Sequence, residues 1–246
     1  MGKMVELSYQ RREFEAYLAE PEGEVRGGII VIHEVWGLND HTKDIANRFA
    51  AEGYLALAPS LLAETDISKH AAELQLDLFN PAKRNEAQPK LRALMTPLQD
   101  PSFGAKTVGR LRASFDYLYD LPATRKKVAV NGYCFGGSYT YNLAMVEPRL
   151  KAAIPFYGHI DLADPNKLRQ ISCPVLAFYG EQDESLISGL PNVEAAMQTA
   201  GANYTARVYP GCGHAFFNDT NPFAYNKAAA ADAWQRSLTF LSRHLK

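Results

Sequence analysis

The chain has 246 residues, of which 47% are hydrophobic and 22% charged, and its formal net charge is −1. This composition is typical of a globular domain, and the near-zero charge gives no basic surface that would bind nucleic acid. Three cysteines argue against a disulfide framework. With no apolar run of about 18–20 residues and no secretory signal, we expect a cytoplasmic protein that does not bind membranes.

The first sixty residues alternate between strand and helix patterns. Apolar and polar residues alternate in the first twenty positions, which predicts a pair of edge strands. The continuous apolar run "GGIIVIHE" (27–34) predicts a central strand covered on both faces. Apolar residues at helical spacing follow over 40–53, and "YLALAPS" (54–60) predicts another strand.

Residues 64–100 have a helical pattern that prolines interrupt at positions 81, 89 and 97. We interpret this stretch as a broken helical excursion over the sheet, because proline interrupts the hydrogen bonding of a helix interior.

The rest of the chain alternates regularly. We predict helices over 103–121, 136–147, 190–201 and 222–244, and strands over 127–133, 152–158, 174–180 and 204–210. Strands that alternate with helices imply a mostly parallel sheet of about eight strands with helices on both faces. We therefore expect one α/β domain spanning residues 1–246, with an antiparallel start.

A glycine-framed cysteine lies between a predicted strand and a predicted helix. Residues 132–136 read G-x-C-x-G around Cys134, which matches the nucleophile turn of α/β-hydrolases with Cys in place of Ser. Such a turn is strained, and side chains at the two glycine positions, two residues from the nucleophile, would collide with the neighbouring strand or helix. The N–H groups of the following helix favour a thiolate and, later, an oxyanion. The alternative is a structural cysteine beside a glycine-rich turn.

A thiol nucleophile needs a base, and three histidines follow Cys134 in the chain. His244 lies in a terminal helix among basic neighbours, and His159 directly follows a strand without an intervening acid. His214 lies in the loop "GCGHAFFND" after the last predicted strand, where the order nucleophile, acid, histidine places the base. We therefore interpret His214 as the candidate base.

The acid of such a triad is expected after the preceding strand, in "YGEQDE". Asp183 lies three residues past Gly180, whereas Glu181 and Glu184 are competing carboxylates in the same loop. The spacing favours Asp183, whose role would be to orient His214 and to stabilise its imidazolium.

A further carboxylate, Glu34, ends the central strand "IIVIHE". A buried carboxylate is costly unless it is paired or faces a cleft, so Glu34 is either a residue beside Cys134 or a solvated loop carboxylate. The loop after this strand commonly supplies an oxyanion N–H. We assign the two oxyanion N–H groups to Val35 and Phe135.

The motifs "HEVWGLN", "GYCFGGSY", "YGEQDE" and "GCGHAFFND", in this order, resemble the dienelactone hydrolase family of α/β-hydrolases, from about residue 12 to 243. The resemblance implies a triad of Cys134, Asp183 and His214, and a glutamate at Glu34 that helps the cysteine become a thiolate when substrate binds. It also implies that the protein opens small esters or lactones without a cofactor.

Some positions depart from the family pattern. Where well-known members have an arginine four residues after the catalytic histidine, this chain has Asn218, and Arg84 of the helical excursion is a candidate substitute. Dienelactone itself is therefore a doubtful substrate. Four aromatic residues indicate either a more apolar pocket or core packing: Trp36, Phe135, Phe216 and Phe217. We assign substrate binding to Trp36, Arg84, Phe216 and Asn218.

Other interpretations remain open. Cys212 and His214 resemble a metal pair, but zinc needs three or four ligands and no second pair exists, so we expect no metal. The same site could hydrolyse thioesters, or an accessible cysteine could serve a non-catalytic, redox-sensing protein. The expected partner is a small-molecule ester or lactone, and the expected assembly is a monomer or weak homodimer.

Overall fold

An eight-stranded sheet runs through the computed structural model, which describes residues 2–80 and 82–246, and only the backbone of Ser68, Ala72 and Arg84. The strands of the described residues are β1 Lys3–Tyr9, β2 Arg12–Ala19, β3 Gly27–Ile32, β4 Tyr54–Pro59, β5 Val128–Tyr133, β6 Ala152–Phe156, β7 Val175–Gly180 and β8 Tyr204–Tyr209.

The strand order is β1-β2-β4-β3-β5-β6-β7-β8. Strand β1 pairs antiparallel with β2, and β2 antiparallel with β4, whereas all later neighbours run parallel. The register sets Ile32 at the end of β3 against Gly132 near the end of β5. The predicted α/β-hydrolase architecture, with its antiparallel start, is confirmed. The carboxyl ends of β3, β5, β6, β7 and β8 therefore share one edge.

The helices of the described residues are α1 Asp40–Ala51, α2 Asp66–Phe79, α3 Arg84–Met95, α4 Pro101–Asp120, α5 Phe135–Val146, α6 Pro165–Leu168, α7 Glu184–Ile187, α8 Leu190–Ala200 and α9 Lys227–His244, with 3-10 turns at Thr96–Gln99 and Pro122–Thr124. All of them are too short or too polar to cross a membrane.

Two features of the helices differ from the prediction. Helix α9 begins at Lys227 rather than near 222, because the Asn226 side chain accepts from the N–H of Ala229 and caps the helix there. Helix α3 continues through Pro89, so the chain is not interrupted at that proline.

The sheet separates two apolar cores. In β3, Ile30 and Ile32 belong to the core shared with α4 and α5, and Ile29 and Val31 to the core shared with α1 and α9. This alternation follows from the two-residue repeat of a strand. It explains why β3 is apolar throughout.

A smaller apolar cluster lies above the carboxyl edge of the sheet. Val35, Leu62 and Ile67 form it, and residues of α3 such as Leu91 and Met95 pack against it. The helical excursion therefore covers the loop that follows β3, as expected for a cap over a site.

Candidate active site

Cys134 lies on the turn between β5 and α5. Its backbone has φ 54° and ψ −111°, a conformation that a non-glycine residue rarely adopts and that costs about 1–3 kcal/mol. The side chain is half-buried. The surrounding structure thus holds this cysteine in a strained position above the sheet edge.

Close backbone packing explains the glycines of the motif. A Cβ on Gly132 would collide with the carbonyl of Gly136, and a Cβ on Gly136 would collide with the carbonyls of Ile32 and His33. The N–H of Gly136 donates to the carbonyl oxygen of His33 over 3.1 Å. Only glycine allows this approach, which joins the start of α5 to the end of β3.

His214 connects Cys134 to Asp183. Its Nδ1 lies 2.5 Å from Oδ2 of Asp183, which leaves Nε2 for the Cys134 side chain, with which the ring also interacts. Asp183 is buried, and its other oxygen accepts from the Ser185 hydroxyl over 2.8 Å. The structure therefore brings together the three residues that the sequence analysis selected.

The charges of this trio are coupled. Desolvation lowers the pKa of His214, but the electrostatic interaction with Cys134 and the hydrogen bond that the ring donates to Asp183 outweigh it and raise that pKa well above 6.5. Burial raises the pKa of Asp183, and the hydrogen bond with His214 more than compensates, so the pKa falls below its ordinary value. These shifts favour a protonated His214 ring beside the carboxylate of Asp183.

The competing candidates have other surroundings. Glu181 accepts from the N–H of Gly211 over 2.9 Å and so fixes the loop that precedes His214. The backbone N–H of His159 donates to the Ser138 hydroxyl, and its side chain lines a cavity beside Cys134. The ring of His244 packs edge to face against Phe240 at the end of α9, away from the site.

Glu34 is buried and paired. Its Oε1 accepts from the Tyr157 hydroxyl over 3.2 Å, and its Oε2 accepts from the Asn218 amide over 2.6 Å. Burial and the charge of Glu34 raise the pKa of Tyr157, which keeps this hydroxyl protonated and able to donate. Glu34 is therefore not a solvated loop carboxylate, although it lines the same cavity as Cys134.

Asn218 corrects one expectation. Asn218 was predicted to bind the substrate, but its side chain is fully buried, donates to Glu34 and accepts from Thr220. A buried amide needs partners of this kind, and satisfying them turns Asn218 away from the cavity.

The two predicted oxyanion donors belong to residues near Cys134: Phe135 follows it in the chain, and Val35 lines the same cavity. Phe135 is the first residue of α5, so its N–H has no acceptor within the helix. Val35 follows Glu34, whose carbonyl accepts from Nδ1 of His33 over 2.6 Å. Nε2 of His33 accepts from the N–H of Leu61 over 3.1 Å. Burial lowers the pKa of His33 to about 4, so a neutral ring fixes this loop.

The predicted substrate-binding aromatic residues divide into two groups. Trp36 and Phe135 line cavities beside Cys134, whereas Phe216 and Phe217 are buried in the core around β6. Assigning Phe216 to the substrate was wrong, because its fully buried ring packs against Tyr157 and Tyr209 instead. The side chain of Arg84 lies outside those that the structure describes.

Tyr157 and His33 were not predicted from the sequence as residues of the site. Tyr157 follows β6 with φ 37°, and its ring lies 4.9 Å from that of His214. Its position after a strand at the same sheet edge was the available signal. His33 was visible only as a polar residue that ends a buried strand.

Two cavities open beside Cys134. The larger has a volume of about 580 Å³ and the smaller about 280 Å³. Within residues 2–80 and 82–246, no three His, Cys, Asp or Glu side chains are grouped closely enough to hold a metal ion.

Comparison with known proteins assigns the family. The dienelactone hydrolase family matches residues 14–245. A Saccharolobus solfataricus protein named "Putative carboxymethylenebutenolidase" is 34% identical over 262 aligned residues, covering 99% of each chain.

Solved structures agree with this assignment. A Klebsiella pneumoniae structure titled "Putative Dienelactone Hydrolase" is 25% identical and covers 99% of both chains with a TM-score of 0.80. A dienelactone hydrolase from Anabaena variabilis, 19% identical over 100% of this chain and 99% of its own, shares the fold with a TM-score of 0.72. The chain therefore belongs to the dienelactone hydrolase family and is a hydrolase of ester or lactone bonds.

Proposed function

We propose that this chain, as a single domain, hydrolyses small carboxylic esters and lactones through a triad of Cys134, His214 and Asp183. The observation that carries the proposal is the placement of one imidazole between a buried carboxylate and a cysteine on a strained turn. Neither a structural cysteine nor a redox sensor needs a histidine oriented by an aspartate.

Acylation begins with the Cys134 thiolate, which attacks the carbonyl carbon of the ester. The carbonyl electrons move to oxygen, and the resulting oxyanion accepts from the N–H groups of Phe135 and Val35. As the oxyanion collapses, the bond to the alkoxy oxygen breaks. The His214 imidazolium gives its proton to the departing alkoxide, which leaves as an alcohol. The acyl group remains on sulfur as a thioester.

Deacylation reverses these roles. Neutral His214 accepts a proton from water as the water oxygen attacks the thioester carbonyl. The second oxyanion uses the same N–H groups, and its collapse breaks the carbon–sulfur bond. The carboxylic acid leaves, and Cys134 again forms an ion pair with the protonated ring of His214. A lactone follows the same steps, with its alcohol still attached to the acyl group.

Asp183 and Glu34 act on this chemistry without bonding to the substrate carbonyl. The Asp183 hydrogen bond fixes the ring of His214 with Nε2 towards Cys134 and stabilises the imidazolium. Glu34, held by Tyr157 and Asn218, lines the cavity beside the nucleophile and sets the position of the Val35 loop.

A panel of small esters, lactones and thioesters tests this function. Cys134→Ala should abolish hydrolysis while circular dichroism shows an intact fold. Cys173→Ala is the matched control, because Cys173 is buried in the opposite core and should leave turnover near the original rate. Undiminished turnover in Cys134→Ala would contradict the proposal.

A further inference from the structure

The two cavities beside Cys134 meet at the nucleophile. Three side chains line both of them: Cys134, His214 and Met95 from the end of α3. The larger cavity extends beneath α2 and α3 towards the loop that contains Asn221, and the smaller extends along the 3-10 turn that contains Leu98. A carbonyl placed at Cys134 therefore has space on two sides.

The walls of the smaller cavity are mostly apolar. Leu98, Phe135, Tyr139 and Leu186 supply most of the surface, with polar groups such as His159 at intervals. This wall suits an alkyl or aryl group, because burying apolar surface stabilises a complex by about 25 cal/mol per Å².

The walls of the larger cavity combine apolar and uncharged polar groups. Trp36 and Phe79 lie edge to face on one side. Gln182, Asn221 and Asn226 also line this cavity and carry uncharged amide groups. This cavity suits a longer arm that carries uncharged hydrogen-bonding atoms.

The described side chains of the two cavities supply no cation for a substrate carboxylate beyond His214, which is already engaged with Asp183 and Cys134. Among the described side chains that line them there is no lysine or arginine, and the larger cavity contains the carboxylate of Glu34. Arg48, which lies near Asn218 in the chain's fold, is paired with Asp44 and Asp219 and lines neither cavity. A substrate carboxylate in the larger cavity would lose hydration with no lysine or arginine among these described side chains to pair with, and it would face the like charge of Glu34.

We infer, on the basis of the proposed ester hydrolysis, that the substrates are uncharged open-chain esters whose acyl and alkoxy arms occupy one cavity each. The two arms leave an ester carbonyl carbon in different directions, and the two cavities leave Cys134 in different directions. A compact anionic lactone would fill only one cavity and would leave Glu34 facing its charge. The specificity-determining surfaces are therefore the separate walls, and Leu98 and Ala224 represent one wall each.

Five esters, four neutral and one anionic, measure the substrate preference of the unmodified protein. Ethyl acetate has two short arms, ethyl hexanoate a long acyl arm, and hexyl acetate a long alkoxy arm. Each long-arm ester should exceed ethyl acetate in kcat/KM by about tenfold or more, because each added methylene in an apolar pocket contributes to discrimination. Monoethyl adipate should fall about tenfold or more below its neutral length match, ethyl heptanoate.

Two variants then separate the cavities. Leu98→Trp fills the smaller cavity and Ala224→Trp the larger one. The readout is the ratio of kcat/KM for ethyl hexanoate to that for hexyl acetate, which is independent of the fraction of folded enzyme in a preparation. The two variants should shift this ratio in opposite directions, each by about tenfold.

The outcomes distinguish this inference from the proposed function. Hydrolysis of ethyl acetate without any gain from a longer arm overturns the two-arm inference and leaves the triad intact. A ratio that shifts in the same direction in both variants, or in neither, also overturns the two-arm inference and leaves the triad intact. Equal hydrolysis of monoethyl adipate and ethyl heptanoate overturns the inference that the substrates are uncharged. Absence of turnover with every ester overturns both.

Discussion

Replacing His33 by glutamine tests whether a neutral, buried ring fixes the loop after β3. His33 is fully enclosed, stacks at 5.7 Å on the ring of Phe135, and contacts Glu34 and Leu61 through its two nitrogens. Glutamine can donate to one of these partners and accept from the other, but it does not titrate. The substitution therefore removes a proton-binding group and retains polar atoms at the site.

The magnitude follows from the pKa of His33, which burial lowers from 6.5 to about 4. Between these values the unfolded chain binds a proton that the folded protein does not bind. The free energy of unfolding therefore decreases as the pH falls below 6.5, and this loss ends near pH 4. At 1.36 kcal/mol per pKa unit, the loss between pH 7 and pH 5 is about 2 kcal/mol.

Urea unfolding at pH 7 and pH 5 measures this loss. The original protein should lose about 2 kcal/mol more than His33→Gln over this interval. His214 has a raised pKa, so its stabilisation is complete below pH 6.5 and is lost at higher pH. Both proteins retain His214, and its contribution cancels. His159→Gln, at an exposed histidine, is the control and should follow the original protein. Parallel pH dependences for His33→Gln and the original protein would refute the reasoning.

Three further predictions follow from the site. His214→Ala should lower kcat/KM almost as much as loss of the nucleophile, since the members of a triad act as a unit. His159→Ala should lower kcat/KM far less. If His159→Ala is the more damaging of the two, the base is wrongly assigned. Glu34→Gln places an amide against two buried donors, the Tyr157 hydroxyl and the Asn218 amide. The free energy of unfolding in urea should fall by about 1–3 kcal/mol. An unchanged urea midpoint would contradict the pairing of Glu34 with these two groups. Gly136→Ala should lower the free energy of unfolding by about 1–3 kcal/mol or more, because the added Cβ collides with backbone carbonyls. Gly213→Ala should lower it much less, because its added Cβ meets open space. Equal urea midpoints for the two variants would contradict the close packing at Gly136.

Much of the fold could be predicted because hydrophobic periodicity is a local property. The continuous apolar run of β3 and the glycine after α1 lie in short windows of sequence, and parallel strands with helical connections allow few topologies. The start of α9 was less visible, since Asn226 caps the helix through a contact that depends on the preceding loop. A pattern of apolar residues alone does not show which polar residue begins a helix.

The candidate site also has a part that the sequence predicts and a part that it does not. Chain order and the shared sheet edge were enough to select Asp183 and His214, which the structure brings into contact. The partners of Glu34 were not predictable, because Tyr157 and Asn218 are 123 and 184 residues away from it in the chain. Such contacts depend on tertiary packing that residue spacing does not encode.

The most direct test of the account is to trap the acyl-enzyme. The protein is mixed with a small neutral ester, quenched in acid within the first turnover, and analysed by intact and peptide mass spectrometry. The account predicts an added acyl mass on the peptide that contains Cys134, released by hydroxylamine as expected for a thioester, and absent from Cys134→Ala. An acyl group on Cys173 or Cys212 instead, or full ester turnover by Cys134→Ala, would contradict it.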